Sequence, residues 1–196
     1  MTSILNRFRG HFKRIIRPIA LAISKTNIDP NLVTLSGLIT SILIPLLTLY
    51  YSYTGYLLGI IISSFLDVLD GEIARISNKT SKFGAFLDST CDRVSDAIYI
   101  YSLTLLNLDT TIALILIILS FMISYARARA EGLGLKIEGT GLMERGERVI
   151  YIFLMVLVSI FYREFMLIGS YIMLILLLYT LAERILYVRE SLRDKN

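Results

Sequence analysis

The chain has 196 residues, of which 55% are hydrophobic and 18% charged, with a formal net charge of +4 and a pI near 9.2. Soluble domains carry about 25% charged residues, so this balance excludes a disordered chain, a disulfide scaffold and a soluble nucleic-acid binder; the long apolar runs point to a polytopic helical membrane protein. A single cysteine (Cys91) and a single histidine (His11) exclude an internal disulfide and leave any metal to carboxylate ligands.

Residues 1–30 read as a juxtamembrane segment. Phe8, Phe12, Ile15, Ile16, Ile19, Ala20 and Ile23 recur at helical spacing, with Arg7, Arg9, Lys13, Arg14 and Arg17 between them. The segment lacks the uninterrupted apolar core and small-residue cleavage site of a signal peptide. It reads as an amphipathic helix on an anionic inner leaflet, the alternative being a plain basic topogenic stretch. Asn27, Asp29 and Pro30 end it, because proline disfavours helix in the residue before it.

Residues 31–190 then predict a bundle of six transmembrane helices within one membrane domain, 1–196. The spans are Leu32–Tyr51, Leu57–Leu69 (continuing as helix to about Ile76), Ala85–Leu106, Thr111–Ala126, Val149–Tyr162 and Phe165–Leu186. The connections Ser52–Tyr56, Ser77–Lys82, Asn107–Thr110, Gly132–Glu144 and Arg163–Glu164 are short enough to make neighbouring spans antiparallel. Of the 20 Lys and Arg, all but Arg163 fall on one side, which places both termini and the acidic half-spans in the cytoplasm of a multi-pass cell-membrane protein. Tyr50, Tyr51, Tyr53 and Tyr56 read as an aromatic belt at the opposite interface.

The second and third spans carry an unusual load of acids. Asp67 and Asp70, three apart, share a helix face, and Asp88, Asp92 and Asp96 form a stripe at i, i+4 and i+8 on the next helix. The loop Ser77–Lys82 brings these faces together antiparallel. Convergent carboxylates at membrane depth must be protonated or neutralised by cations. Two hard divalent ions, Mg²⁺ or Mn²⁺, would cancel the charges of Asp67, Asp70, Asp88 and Asp92, with water and a substrate phosphate completing the coordination. The small residues Gly71, Ala74, Gly84, Ala85 and Ser89 leave room for a bulky polar ligand, and Arg75 is placed to pair with its phosphate. The acids also fit a proton- or cation-coupled carrier.

Written out, Asp67–Asp92 matches D-x-x-D-G-x-x-A-R-x8-G-x-x-x-D-x-x-x-D at every fixed position. This resembles the signature of the CDP-alcohol phosphotransferases, integral membrane enzymes of phospholipid synthesis, and the run Pro30–Thr34 extends the resemblance. The resemblance implies that Asp67, Asp70 and Asp88 are ligands of a two-metal site and that Asp92 touches the second metal or serves as general base. It assigns Asn31, Thr34, Gly71, Ala74, Arg75, Ser81 and Gly84 to a CDP-linked lipid. An alcohol would attack the β-phosphorus of that lipid and CMP would leave. Membrane lipids and a second copy of the chain, as a homodimer, are the further partners implied. Asp96, one turn deeper, falls outside the signature and reads as supporting or structural.

The acceptor is read from basic residues farther along. Arg127, Arg129, Arg145, Arg148 and Arg184 on one face would make a strong anion site, because guanidinium binds phosphate oxygens with paired donors. A phosphorylated alcohol calls for such a site and a neutral one does not. Positive-inside topology is the alternative account. These arginines and the A-R-A-E-G-L-G and E-R-G-E-R runs resemble the phosphatidylinositol phosphate and archaetidylinositol phosphate synthases of the family, which implies inositol 1-phosphate as acceptor and CDP-diacylglycerol or CDP-archaeol as donor. Arg127 stands where bacterial members often have lysine, and both carry the charge. Glycerol 3-phosphate or another polar alcohol is the alternative acceptor, and an ion-coupled transporter the alternative class.

Overall fold

The computed structural model of the chain describes residues 16–26, 28–137 and 139–193. Every regular element among them is helical: α1 (16–24), α2 (Pro30–Ile76), α3 (Lys82–Ser102) with a 3₁₀ turn at Leu103–Leu106, α4 (Thr110–Gly132), α5 (Arg145–Ser159) and α6 (Phe165–Arg193). α2, α4 and α6 are long and apolar enough to cross a membrane, and the chain is a membrane protein. α3 is interrupted by Asp88, Asp92, Arg93 and Asp96, and α5 is only 15 residues long. The described helices pack into two compact units, one from α1 to the 3₁₀ turn at Leu103–Leu106 and one from α4 to α6.

In the first unit, α1 uses the face predicted for it only in part. Ile16 and Ala20 are buried and, with Ile23, pack against Val33, Leu69 and Ile73 of α2. Ile19 lies at the edge of that face and remains 40% exposed, while Phe8, Phe12 and Ile15 fall outside the described residues. α2 begins where Asp29 caps it, the carboxylate accepting from the Asn31 N–H at 3.0 Å, with Pro30 in the first turn where a missing N–H costs nothing.

The predicted connection Ser52–Tyr56 contracts to one residue. Only Ser52, at φ 53° and ψ −136°, leaves the helix, and the chain resumes helix immediately afterward. The two arms of α2, residues 30–51 and 53–76, run antiparallel, and the Ser63 hydroxyl donates to the Gly37 carbonyl across them at 2.8 Å. So tight a reversal requires glycine at 55, because a Cβ there would strike the Leu47 carbonyl. α3 starts at an N-cap made by Ser81, whose Oγ accepts from the Gly84 N–H at 2.9 Å, and its stripe of acids faces the second arm of α2.

In the second unit, Asp109 caps α4 through the N–H groups of Thr111 and Ile112 at 2.8 and 3.1 Å. α4 continues past the expected end at Ala126, and α5 begins at Arg145 rather than Val149, so Arg127, Arg129, Arg145 and Arg148 all stand on helix. The connector between them is pinned. Leu135 and Ile137 are buried with Ala130 against Val188 and Leu192, and the Met143 N–H donates to the Thr180 hydroxyl at 3.1 Å.

Two substitutions at the α2 reversal are expected to act in opposite directions in thermal unfolding of the detergent-solubilised protein. Gly55→Ala should destabilise by about 1–3 kcal/mol through overpacking. Ser52→Gly should stabilise by about 1 kcal/mol, because its backbone conformation suits glycine. A Gly55→Ala protein as stable as the parent would contradict the packing of this corner.

Candidate active site

The second arm of α2 and the first half of α3 deliver four signature carboxylates to one region. Asp67, Asp88 and Asp92 each present an oxygen within 4.8 Å of the others. Asp70 stands just off this trio. It is 4% exposed, with the Thr34 side chain beside it and Asp67 and Asp88 near enough to act on its charge. Its Oδ2 is buried with no hydrogen-bond partner.

Such an arrangement repels itself. Arg93 donates to the Ser89 carbonyl at 2.8 Å and approaches Asp92 only at 3.5 Å, at the limit of a hydrogen bond, so it offsets a small part of the repulsion. An all-oxygen donor set with an orphaned buried Oδ2 is what a hard divalent cation takes, so the residues fit the metal that their signature implies. Asp96 is buried farther along α3 and is not in the trio.

Of the residues assigned to a CDP-linked lipid, Thr34 lies beside Asp70 and the other six form two groups. Asn31, Ser81 and Gly84 meet where α2 and α3 begin. A Cβ on Gly84 would sit 3.1 Å from Ser81 Oγ and 3.2 Å from Asn31 Oδ1, closer than a side chain tolerates without displacing them. Gly71, Ala74 and Arg75 follow Asp70 on the closing turns of α2. Arg75 is exposed and holds Glu72 at 3.1 Å, so the guanidinium must turn from that partner to reach a phosphate.

In the second unit three of the five candidate arginines converge. Arg127 and Arg148, together with Glu131 and Glu144, lie near enough to Arg184 to act on its charge. Arg184 is 2% exposed and heavily engaged: it donates to the carbonyls of Thr140 (2.9 Å) and Ile123 (2.8 Å) and pairs with Glu144 at 3.2 Å. Arg148 is buried and donates to the Met143 carbonyl at 3.1 Å. Arg127 pairs with Glu131 at 2.8 Å. Arg129 is exposed, and Arg145 is half-buried at the first residue of α5.

Sequence reasoning missed Glu144. Its carboxylate accepts from the Gly139 N–H at 3.0 Å while pairing with Arg184, so it ties the connector to α6. The only signal was an acid immediately before the helix-starting Arg145, in a run read for its arginines.

Comparison with known proteins decides the family. The CDP-alcohol phosphatidyltransferase family model matches residues 27–183, which carries the match across both units. The chain belongs to the CDP-alcohol phosphatidyltransferase family. It is a transferase enzyme. Archaetidylinositol phosphate synthase of Aeropyrum pernix is 34% identical over 192 residues, covering 97% of this chain and 99% of the relative. The protein of the same name from Pyrococcus horikoshii is 37% identical over 199 residues, covering 96% and 98%. Among solved structures, Mycobacterium tuberculosis phosphatidylinositol phosphate synthase with CDP-DAG bound superimposes with a TM-score of 0.76 at 30% identity, covering 89% of this chain and 94% of that one. The same mycobacterial enzyme in complex with manganese and citrate gives 0.75 at 29% identity, covering 88% of each.

Asp88→Asn is expected to weaken Mn²⁺ binding, measured by isothermal titration, by more than about tenfold, since even groups outside a ligand set cost that much when removed. Unchanged affinity would take Asp88 out of the set.

Proposed function

We propose that the protein joins the lipid phosphate of a CDP-linked lipid to inositol 1-phosphate, giving phosphatidyl- or archaetidylinositol phosphate and CMP. The observation that carries this reading is the trio Asp67, Asp88 and Asp92 within 4.8 Å, in a chain that holds the whole signature. The names of the archaeal relatives support the acceptor, and the CDP-DAG complex of the mycobacterial structure supports the donor.

Asp67, Asp70, Asp88 and Asp92 would hold two divalent cations, Mg²⁺ or Mn²⁺, whose chemistry is to offset the diphosphate's charge and stabilise CMP as leaving group. Asn31, Ser81 and Gly84 on one side, with Gly71, Ala74 and Arg75 on the other, bind and orient the nucleotide diphosphate. The acceptor hydroxyl oxygen forms a bond to the β-phosphorus, and the bond from that phosphorus to the bridging oxygen breaks, so CMP departs with the electron pair. Asp92 takes the hydroxyl proton, a role suited to a carboxylate one helical turn beyond Asp88.

Arg127 and Arg148 lie close enough to Arg184 to act on its charge, and guanidinium groups so gathered suit the paired oxygens of a phosphate. That favours a phosphorylated acceptor over a neutral one. Arg129 and Arg145 belong to the same reading as outlying donors. The carboxylates suit the cytoplasmic ends of their helices in the cell membrane. The reversal at Ser52 supports counting α2 as two crossings, which with α3 to α6 makes six and leaves both termini in the cytoplasm.

Purified protein with CDP-lipid and Mg²⁺ is expected to release CMP with inositol 1-phosphate and not with free inositol. Turnover with glycerol 3-phosphate alone would keep the reaction and change the acceptor; turnover with free inositol alone would refute the reading of the arginines. Arg127→Ala should raise the acceptor KM about tenfold or more while leaving that of the CDP-lipid unchanged. Asp92→Asn should lower kcat at least about a hundredfold with CDP-lipid binding retained, and an active variant would dismiss Asp92 as base.

A further inference from the structure

A second layer of polar side chains lies one turn below the carboxylates in the first unit. The Tyr99 hydroxyl donates to Ser63 Oγ at 2.8 Å, and Ser63 Oγ donates in turn to the Gly37 carbonyl at 2.8 Å. The Tyr99 carbonyl accepts from the Tyr56 hydroxyl at 3.0 Å, and the Ser95 hydroxyl donates to Ser41 Oγ at 3.1 Å. All of these side chains are buried, Tyr99 at 1% exposure. Unlike the many hydroxyls of this chain that bond back to their own helix, these link α3 to both arms of α2.

The spacing is what gives the layer its meaning. Ser63 precedes Asp67 by four residues, Ser95 follows Asp92 by three, and Gly37 follows Thr34 by three. Each of the three helical segments that supplies a group to the site therefore supplies a member of the ladder about one turn away, on the same face. Sliding α3 by one residue along α2 moves it about 1.5 Å and breaks the bonds of Tyr99 and Ser95 together. A metal site tolerates misplacement of only about 0.5 Å.

We propose that Tyr99, through Ser63 and Gly37, is a positioning residue for the carboxylate site. The ladder sets the height of α3 against the two arms of α2 and thereby fixes Asp88 and Asp92 opposite Asp67. It touches no reacting atom. The proposal rests on the reading of the carboxylates as a cation site.

The test uses Mn²⁺ alone as probe on the full-length protein in detergent, with affinity read by titration and the bound ion by electron paramagnetic resonance. Tyr99→Phe and Ser63→Ala are each expected to weaken Mn²⁺ binding by about tenfold or more and to broaden the bound-ion spectrum. Ser63→Ala removes the bond from Tyr99 as well as the bond to Gly37, so adding Tyr99→Phe to it should cost no further affinity. Thr48→Val removes a hydroxyl as deeply buried, but one that bonds its own helix at the Ile44 carbonyl. It should leave the Mn²⁺ affinity and spectrum unchanged, whatever it does to the melting temperature. Ser63→Ala removes a single oxygen and keeps the measurement available should Tyr99→Phe fail to fold. Mn²⁺ affinity within twofold of the parent in Ser63→Ala, or equal losses in Thr48→Val, would overturn the positioning role. A parent protein that binds no Mn²⁺ would instead overturn the carboxylate reading, and the ladder's role with it.

Discussion

Mutual repulsion among carboxylates gathered at one place is the constraint around which this chain is built. Asp67, Asp88 and Asp92 sit within 4.8 Å of one another with Asp70 buried alongside. A fold seeking only stability would disperse them. Everything nearby works to hold them together instead. The tight reversal returns one arm of α2 along the other, Ser81 starts α3 at the right level, and buried hydroxyls tie the three segments one turn below. Carboxylates gathered so closely form an all-oxygen donor set of the kind a divalent cation takes.

The second unit handles charge by the opposite means. Arg184 is buried, yet its guanidinium satisfies two backbone carbonyls and one carboxylate, so much of its donor capacity organises the chain around it. Glu144 and Thr180 complete the anchoring of the connector. A buried guanidinium with several fixed hydrogen bonds is a stiff positive charge, and here it holds the segment around it in place.

What the sequence revealed and what it hid divide along physical lines. The acids were legible because fixed residues at helical spacing state both a chemistry and a geometry, and the cluster Asp67, Asp88 and Asp92 follows from that spacing once α2 and α3 run antiparallel. Asp70 joins them in the same region, buried beside Thr34 with an unpartnered Oδ2, just outside the tightest grouping. Helix ends were not legible in the apolar runs: α4 runs on through Arg127 and Arg129, and α5 starts at Arg145, because backbone hydrogen bonding carries a helix past its hydrophobic stretch. The hydroxyl ladder was invisible. Serine and tyrosine are common in such helices, and nothing in their spacing separates a bond to the next helix from a bond to the preceding turn.

The reversal at Ser52 has a consequence for how this fold can vary. With a single residue outside the helix, the corner contains no slack to absorb a change in chain length. An extra residue built into the returning arm would rotate everything after it by about 100°, swinging Asp67 and Asp70 away from α3 while leaving every motif intact to the eye. Insertions and deletions are therefore shut out of the stretch between the first arm and the signature, and descendants of this gene can lengthen or shorten there only by losing the enzyme.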